Sequence, residues 1–434
     1  MNAGNIVDAF VSDSKWNLVP AKRLFTSSKE INQGMKESNR LALTMKGVIN
    51  RSLDDLQGLQ SSDYSVYQIF EKDDLVFKLI DLENIKTSRV GIVHERGIMS
   101  PAYIRVSACS NSIYPRFYYW YFFALYLTNI YNKLGGGVRQ NLTAGDLLEI
   151  PVPLIDISLQ KQVSAFLDRE TQRIDSLIEE KQTFITLLKE KRQALISHVV
   201  TKGLNPNVEM QDSGIEWIGQ VPKHWVVKKI KYDVLGIEQG WSPQCESTPV
   251  PDDHTWGVVK VGCVNRGIFN PEQNKKLPEE LEPRKEYAIK KGDLLVSRAN
   301  AKEWVGSAAV PDRDYDNLLL CDKIYRIKLD LEKADPEFFA YYLASDQARE
   351  QIEIDATGTS SSMLNIGQGT ILNMPIPAPE LPEQQSIVRG IKNKTSQIDR
   401  LMLEVLDSIE LLKEHRTSLI SAAVTGKIDV REAV

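Results

Sequence analysis

Along residues 150–202, apolar residues return about every seven positions with charged residues between them. Leu167, Ile174, Leu188 and Leu195 form one row, and Val163, Leu177 and Phe184 fall three or four positions from it. Residues 374–426 repeat the arrangement with Ile391, Ile398, Val405, Leu412 and Leu419, accompanied by Ile387 and Leu401. A heptad of this kind is a coiled-coil seam, because it keeps one stripe of a helix facing its partner. Proline and glycine are absent between Gln160 and Thr201 and between Ile391 and Thr425, so each stretch reads as one unbroken helix. Some 40 residues at ~1.5 Å each make a rod of roughly 60 Å. Polar residues fall on the seam at Glu170, Lys181, Lys191, Lys394, Ser408 and His415, where they can fix register and partner.

The two stretches are copies. They align without a gap, and about nineteen of roughly 53 paired positions are identical, which marks an internal repeat. Pro151 pairs with Pro375, Pro153 with Pro377, Gln160 with Gln384 and Ile174-Asp175 with Ile398-Asp399. Upstream of each copy the period changes. Short apolar runs at Leu41–Leu43, Tyr67–Phe70, Leu75–Ile80, Val90–Val93 and Tyr103–Val106 have strand length and are bounded by turn formers. Arg116–Asn132 reads as a helix buried by its aromatic residues. A second set follows at Thr255–Val264, Tyr287–Lys290, Asp293–Ser297, Ala308–Val310 and Ile324–Leu329, with a helix at Phe338–Leu343. Asn141 falls on Asn365, and Lys72-Asp-Asp-Leu-Val on Lys291-Gly-Asp-Leu-Leu. The repeated unit is therefore a globular domain plus a long helix, with the globular halves far more diverged.

The expected fold is α+β, with two globular α/β domains at residues 1–153 and 204–377. They are separated by two long helices, at 154–203 and 378–434, packed as an antiparallel coiled coil with a pseudo-twofold repeat. The C-terminal tail aligns with the linker before the second domain, so the chain ends are expected to meet.

Composition narrows the function. The net charge of −5 is not that of a protein coating nucleic acid indiscriminately. Residues up to Ile150 carry a slight excess of Lys and Arg, whereas residues 203–378 are acidic. The densest apolar run, Tyr118–Tyr126, is too short to span a bilayer, and the N-terminus does not read as a signal peptide. Cys109, Cys245, Cys263 and Cys321 show no CxxC spacing, which points to buried thiols in a reducing cytoplasm and no zinc site. Phosphate-loop, dinucleotide-binding, nucleophile-elbow and amino-methyltransferase motifs are absent. The chain is expected to perform no chemistry.

The sequence resembles the DNA-specificity subunits of type I restriction–modification enzymes. The resemblance rests on Gly214–Trp225 (GIEWIGQVPKHW), the ILNMPIPAPELPEQQSIV segment from Ile371, the repeated helix block and GIMSPAYIRV from Gly97. It covers almost the whole chain. The exception is the domain-opening motif of the first copy, which is reduced to DSKWNLVP. The resemblance implies two target recognition domains, each reading half of a split, asymmetric site in double-stranded DNA. The helices would act as spacer. Methyltransferase and restriction/translocase subunits would dock on the chain and supply the S-adenosylmethionine, ATP and magnesium sites, so no cofactor is expected here. A coiled-coil scaffold without DNA readout and a stand-alone nuclease or methyltransferase are the competing classes.

Phosphate contacts need cations, hydroxyls and amides, and base readout needs Arg for guanine or Asn/Gln for adenine. Residues of these types in predicted loops are Lys46, Arg51, Arg96, Arg139 and Gln140 in the first domain. In the second they are Gln239, Ser242, Asn265, Arg266, Arg298, Asn300, Lys302, Ser360, Ser361 and Ser362.

Overall fold

The structure is a computed structural model that describes residues 7, 10–12, 14–53, 63–80, 88–134, 141–265, 267–360 and 363–433. The chain divides into two compact units, Met1–Gln182 with Leu406–Val434, and Thr183–Val405. Each long helix, Ile157–Lys202 and Leu381–Val424, therefore contributes one half to each unit.

The first unit holds two four-stranded sheets. One has the spatial order Phe25–Thr26, Ile104–Ala108, Leu75–Phe77, Val90–Ile92. The other runs Gly47–Arg51, Arg40–Thr44, Gly97–Met99, Gln68–Phe70, with its central pair parallel. The second unit repeats both. Its sheets run Val234–Gln239, Ile324–Leu329, Leu294–Ser297, Ala308–Ala309, and Asn274–Lys276, Gly257–Val259, Tyr315–Leu319, Ala288–Ile289. The parallel pair recurs at Gly257–Val259 and Tyr315–Leu319. Strands predicted around Leu41, Phe70, Leu75, Val90, Val106, Val296 and Ile327 are present, most of them shorter than the apolar runs that betrayed them.

The correspondence reaches individual side chains. In the first unit buried Arg105 donates through Nε to Asp74 at 2.5 Å and through Nη1 to the Ile69 carbonyl at 3.1 Å. In the second, buried Arg326 lies 3.5 Å from Asp293 and donates to the Ala288 carbonyl at 2.7 Å. Each aspartate also accepts a backbone N–H three residues upstream, from Glu71 or Lys290. The residue before it must adopt positive φ. Gly292 does so at 85° and Asp73 at 70°, aspartate being one of the few side chains tolerated there.

The aromatic helices Pro115–Leu127 and Pro336–Leu343 lie against the spacer. Buried Gln160 and Gln384 tie them down alike. The Gln160 side-chain oxygen accepts the N–H of Tyr114 at 2.7 Å, and that of Gln384 accepts the N–H of Asp335 at 2.9 Å. Their amides donate to the carbonyls of Ser112 and Ile155, and of Lys333 and Pro379. Tyr121 and Tyr342 donate to the carbonyls of Pro151 and Pro375, both at 2.6 Å. Those prolines lie in strands paired with the domain openings, Leu18–Pro20 with Pro151–Pro153, and Val226–Lys229 with Pro375–Ala378. The reduced opening motif of the first copy thus still forms its strand, and Trp16 packs on Phe117 as Trp225 packs on Phe338.

Within each unit the helix halves run antiparallel. In the first, Val163 and Leu167 share a core with Ile420 and Val424, while Asp175 binds Arg416 at 2.9 Å. In the second, Ile196 and Val200 share a core with Ile387 and Ile391, while Arg192 binds Asp399 at 3.0 Å. Asp175 and Asp399 occupy one position of the repeat, and Arg192 and Arg416 another. The same contact is thus made twice with the helices exchanged.

The expected seam needs correction. Val163, Leu167, Ile174, Leu188, Ile387, Ile391 and Val405 are buried, and Leu177, Leu195, Ile398, Leu412 and Leu419 are half-buried. Phe184 and Leu401 are exposed, at 41% and 38%. Ile185, Ile196, Thr395, Ile409 and Ile420 are buried instead. A straight helix turns every 3.6 residues, so a strict heptad stripe drifts by about 20° per repeat. After three heptads the inward position has moved on by one residue.

Val430 joins the core containing Val7 and Val11, and Gly426 lies against Trp16. The tail therefore packs on the opening of the first domain, as the alignment suggested. Cys263 and Cys321 are buried, but Cys245 is half-buried and Cys109 exposed, contrary to the expectation of uniformly buried thiols.

Candidate nucleic-acid interface

At one end of the Val234–Gln239 sheet several candidates converge. Gln239 pairs with Tyr325, and Ser297 with Ile324. Arg298 continues from that edge. Its N–H donates to the Lys323 carbonyl at 2.9 Å, its Nη1 to the Asp322 carbonyl at 3.4 Å, and its guanidinium lies 5.8 Å from the Tyr325 ring centroid. The buried Nε of Arg298 has no hydrogen-bond partner among the described residues. The Ser242 hydroxyl donates to the Asp322 carboxylate and accepts the Asp322 N–H at 3.1 Å. Strand Ala299–Asn300 pairs with Met363–Asn365, which pairs in turn with Thr357–Ser360. The Asn300 side chain accepts the N–H of Ala301. Gln239, Ser242, Arg298, Asn300 and Ser360 are thereby brought to one edge.

Lys302 follows in an exposed turn, its Nζ 3.9 Å from Glu353. Asn265 is exposed on a hairpin whose Gly267 N–H donates to the Ala308 carbonyl at 2.7 Å, so it neighbours the same sheet. Arg266, Ser361 and Ser362 lie outside the described residues, as do Arg139 and Gln140. Leu142 N–H donates to the Leu79 carbonyl at 3.0 Å, as Ile366 N–H does to Arg298 at 2.9 Å. Leu142 in the first unit thus lies beside the strand end that corresponds to Arg298.

The remaining first-unit candidates group less tightly. Lys46 is exposed at the tip of the Arg40–Thr44/Gly47–Arg51 hairpin, with Arg51 opposite Arg40 at its foot. Arg96 is committed to carboxylates, Glu71 and, at 3.4 Å, Glu37. A cleft of about 590 Å³ lies between the hairpin and the aromatic helix, lined by Lys46, Asn50, His94, Arg116 and Tyr119 among others. Most of the helix's aromatic residues are core, as expected, but Tyr119, Phe123 and Tyr126 are half-buried. Tyr119 stacks on Phe123 with centroids 5.5 Å apart, and Arg116 lies 4.9 Å from the Tyr119 ring.

Positive charge in the acidic second unit also gathers around a recess of about 290 Å³ lined by Lys285, Lys290, Lys291, Arg326 and Lys328. Carboxylates compensate it. Lys290 is ion-paired with Asp316 and Asp314, and the hydrogen bond to Asp316 raises its pKa. Burial pushes the Asp293 carboxyl up despite the Lys290 N–H and Arg326 beside it. Among the described residues no group of His, Cys, Asp and Glu is placed to hold a metal, and no helix is long and apolar enough to cross a membrane.

Residues 222–411 match the type I restriction modification DNA specificity domain, the segment that runs from the second domain opening through most of the second spacer helix. Over that segment the chain is similar to the type I DNA-specificity family. It is similar to the EcoEI specificity subunit of Escherichia coli, with 28% identity over 42% of this chain and 31% of that subunit. The MjaVIII specificity subunit of Methanocaldococcus jannaschii is 24% identical over 78% of this chain and 76% of its own length. The EcoEI match thus spans less than a third of that relative. Two solved structures share the fold. A chain reported under complex assembly and conformational transition of the type I R-M system superposes with a TM-score of 0.67 and 15% identity over 95% of this chain and 98% of its own. The HsdS subunit from Thermoanaerobacter tengcongensis gives 0.52, also at 15% identity, over 95% and 97%. Both relatives are specificity subunits of type I restriction enzymes.

Two features escaped the sequence reading. Lys323 is exposed beside Arg298, and Arg349 is buried behind the Lys302 turn. Neither carries a pattern in sequence, since both depend on strand pairing between distant segments.

Proposed function

We propose that this chain is the DNA-reading subunit of a type I restriction–modification complex, each unit reading one half of a bipartite, asymmetric site in double-stranded DNA. The observation that carries the reading is the contrast between framework and edges. The buried Arg–Asp pair, the glutamine tie and the proline strand recur contact for contact, whereas the exposed edge residues differ. That is the pattern of one scaffold presenting two readers. Arg298 would read guanine, since its fork is held from behind by Tyr325 and the Asp322 carbonyl. Methyltransferase subunits, and through them restriction subunits, would dock on the spacer. Leu187 and Leu411, at one position of the repeat and 55% and 65% exposed, suit such a partner. Catalysis and the S-adenosylmethionine, ATP and magnesium sites belong in those subunits, and the complex would act in the cytoplasm.

The test is selection of DNA from a randomised library by the chain assembled with its methyltransferase subunits. The expected product is a split motif with a fixed gap, and Arg298→Ala should relax one guanine position by about tenfold or more. Assembly without any enriched motif would favour the scaffold reading.

A further inference from the structure

We propose that Arg349 is a positioning residue for readout by the second unit, holding the turn that carries Lys302 and follows Asn300 against a helix anchored on the spacer. The inference rests on the DNA-reading role proposed above. Arg349 is only 6% exposed, on helix Asp346–Asp355. Its Nη1 donates to the Val305 carbonyl, and its Nη2 to those of Lys302 and Glu303, both at 3.3 Å. Three carbonyls of one turn thus converge on one planar fork, a geometry that lysine's single ammonium cannot reproduce.

The turn has little freedom elsewhere. The N–H groups of Trp304 and Val305 donate to the Ala301 carbonyl at 2.9 Å, and that of Gly306 to Ser297 at 2.7 Å. Gly306 has φ of 73°, and a Cβ there would lie 2.5 Å from Ile352 on the same helix as Arg349. That helix is fixed in turn by the first long helix. The Asp346 N–H donates to Ser197 Oγ at 3.0 Å, and Gln193 Nε2 donates to the Ala344 carbonyl at 2.7 Å and to Asp346 Oδ1 at 3.0 Å. Gln193 and Ser197 thus hold the start of the helix, and Arg349 on the same helix holds the backbone of Lys302.

The first unit differs at the matching spacer positions. Thr417 bonds to the Lys413 carbonyl of its own helix, and the buried Ser421 hydroxyl has no partner among the described residues. The linkage to a recognition turn is therefore built into the second unit, where the spacer sets the position of one reader. A shift of the turn would change which base edge Lys302 and Asn300 can reach, whereas loss of the helix packing alone would not select among bases.

The experiment compares Arg349→Lys and the pair Gln193→Ala/Ser197→Ala with the unaltered chain, each assembled with methyltransferase subunits. Base preference at every position is measured by selection from a randomised DNA library, alongside the thermal unfolding midpoint. The expected result is a loss of about tenfold in preference at positions of one half-site, with the other half and the gap unchanged. If Arg349→Lys fails to assemble, the spacer pair carries the test, because its residues lie away from the turn. Unchanged preference in a folded variant, or equal weakening of both half-sites, would overturn the inference. Failure of the unaltered chain to select a split motif would instead refute the DNA-reading role itself.

Discussion

Gln160 and Gln384 show what a single residue contributes. Each is buried, and each satisfies the N–H at the start of an aromatic helix and two further carbonyls. Replacing either by alanine leaves three polar groups, most of them partly buried, without their partner. Because an unsatisfied buried group costs about 1–3 kcal/mol, Gln160→Ala and Gln384→Ala are each expected to cost roughly 2–4 kcal/mol, and by similar amounts. Urea unfolding followed by fluorescence of the nearby tryptophans would measure it. A cost in one copy only would mean that the repeated contact is not equivalent in the two units. The identity of these glutamines was legible in the alignment of the two copies, but their task was not. It depends on chain segments about 50 residues away coming back to the spacer.

At the scale of elements, the helices were legible and their faces only partly so. A seven-residue reading puts Phe184 inward, but the structure turns Ile185 inward. The alignment held the clue, since Ile185 and Ile409 are identical in the two copies while Phe184 faces Ser408. Phe184→Glu is therefore expected to change stability by less than about 0.5 kcal/mol, and Ile185→Glu to lower it by about 3 kcal/mol or more. Circular dichroism melts of the two variants separate these outcomes, and equal losses would restore the strict heptad. Helix Asp346–Asp355 and strand Val234–Gln239 were missed for a different reason. The helix turns only Ala348, Arg349 and Ile352 fully inward, and the strand has no fully buried residue, so neither has a strong apolar period.

The same scale holds a reversal of charge. Arg116 on the first aromatic helix binds Asp168 of the spacer at 2.7 Å, and Asp168 also accepts Trp120 Nε1 at 2.9 Å. At the matching place in the second unit the signs are exchanged, with Glu337 bound to Lys392 at 2.6 Å. Each domain thus carries the charge suited to its own stretch of spacer. These pairs are partly exposed and worth at most about 1 kcal/mol each, so they bias pairing without driving folding. Asp168→Lys should destabilise the first unit, and Arg116→Glu in the same chain should recover about 0.5–1 kcal/mol of the loss. A double-mutant cycle by thermal unfolding would show no coupling if the pair is incidental.

For the whole molecule, the sequence announced two copies of a domain plus a helix, and the structure extends the repetition to sheet order and buried contacts. Which residues face DNA was less legible. Loops carry readout, and their neighbours are set by pairings such as Ala299–Asn300 with Met363–Asn365 that no local pattern announces. Ser242 and Arg96 were sensible choices by residue type, yet both hold intramolecular partners. Arg298 also holds partners, the Asp322 carbonyl and the Tyr325 ring, and is the reader proposed above for its place at the sheet edge.

The central claim is that each unit reads its own half-site, and methylation mapping tests it most directly. The chain would be expressed with its methyltransferase subunits in a methylation-free host, before and after replacing residues 204–377 with the corresponding domain of another specificity subunit. The account predicts methylated adenines in a split asymmetric motif with a fixed gap, of which the replacement changes one half and leaves the other intact. A motif altered in both halves, or methylation unaffected by the replacement, would contradict it.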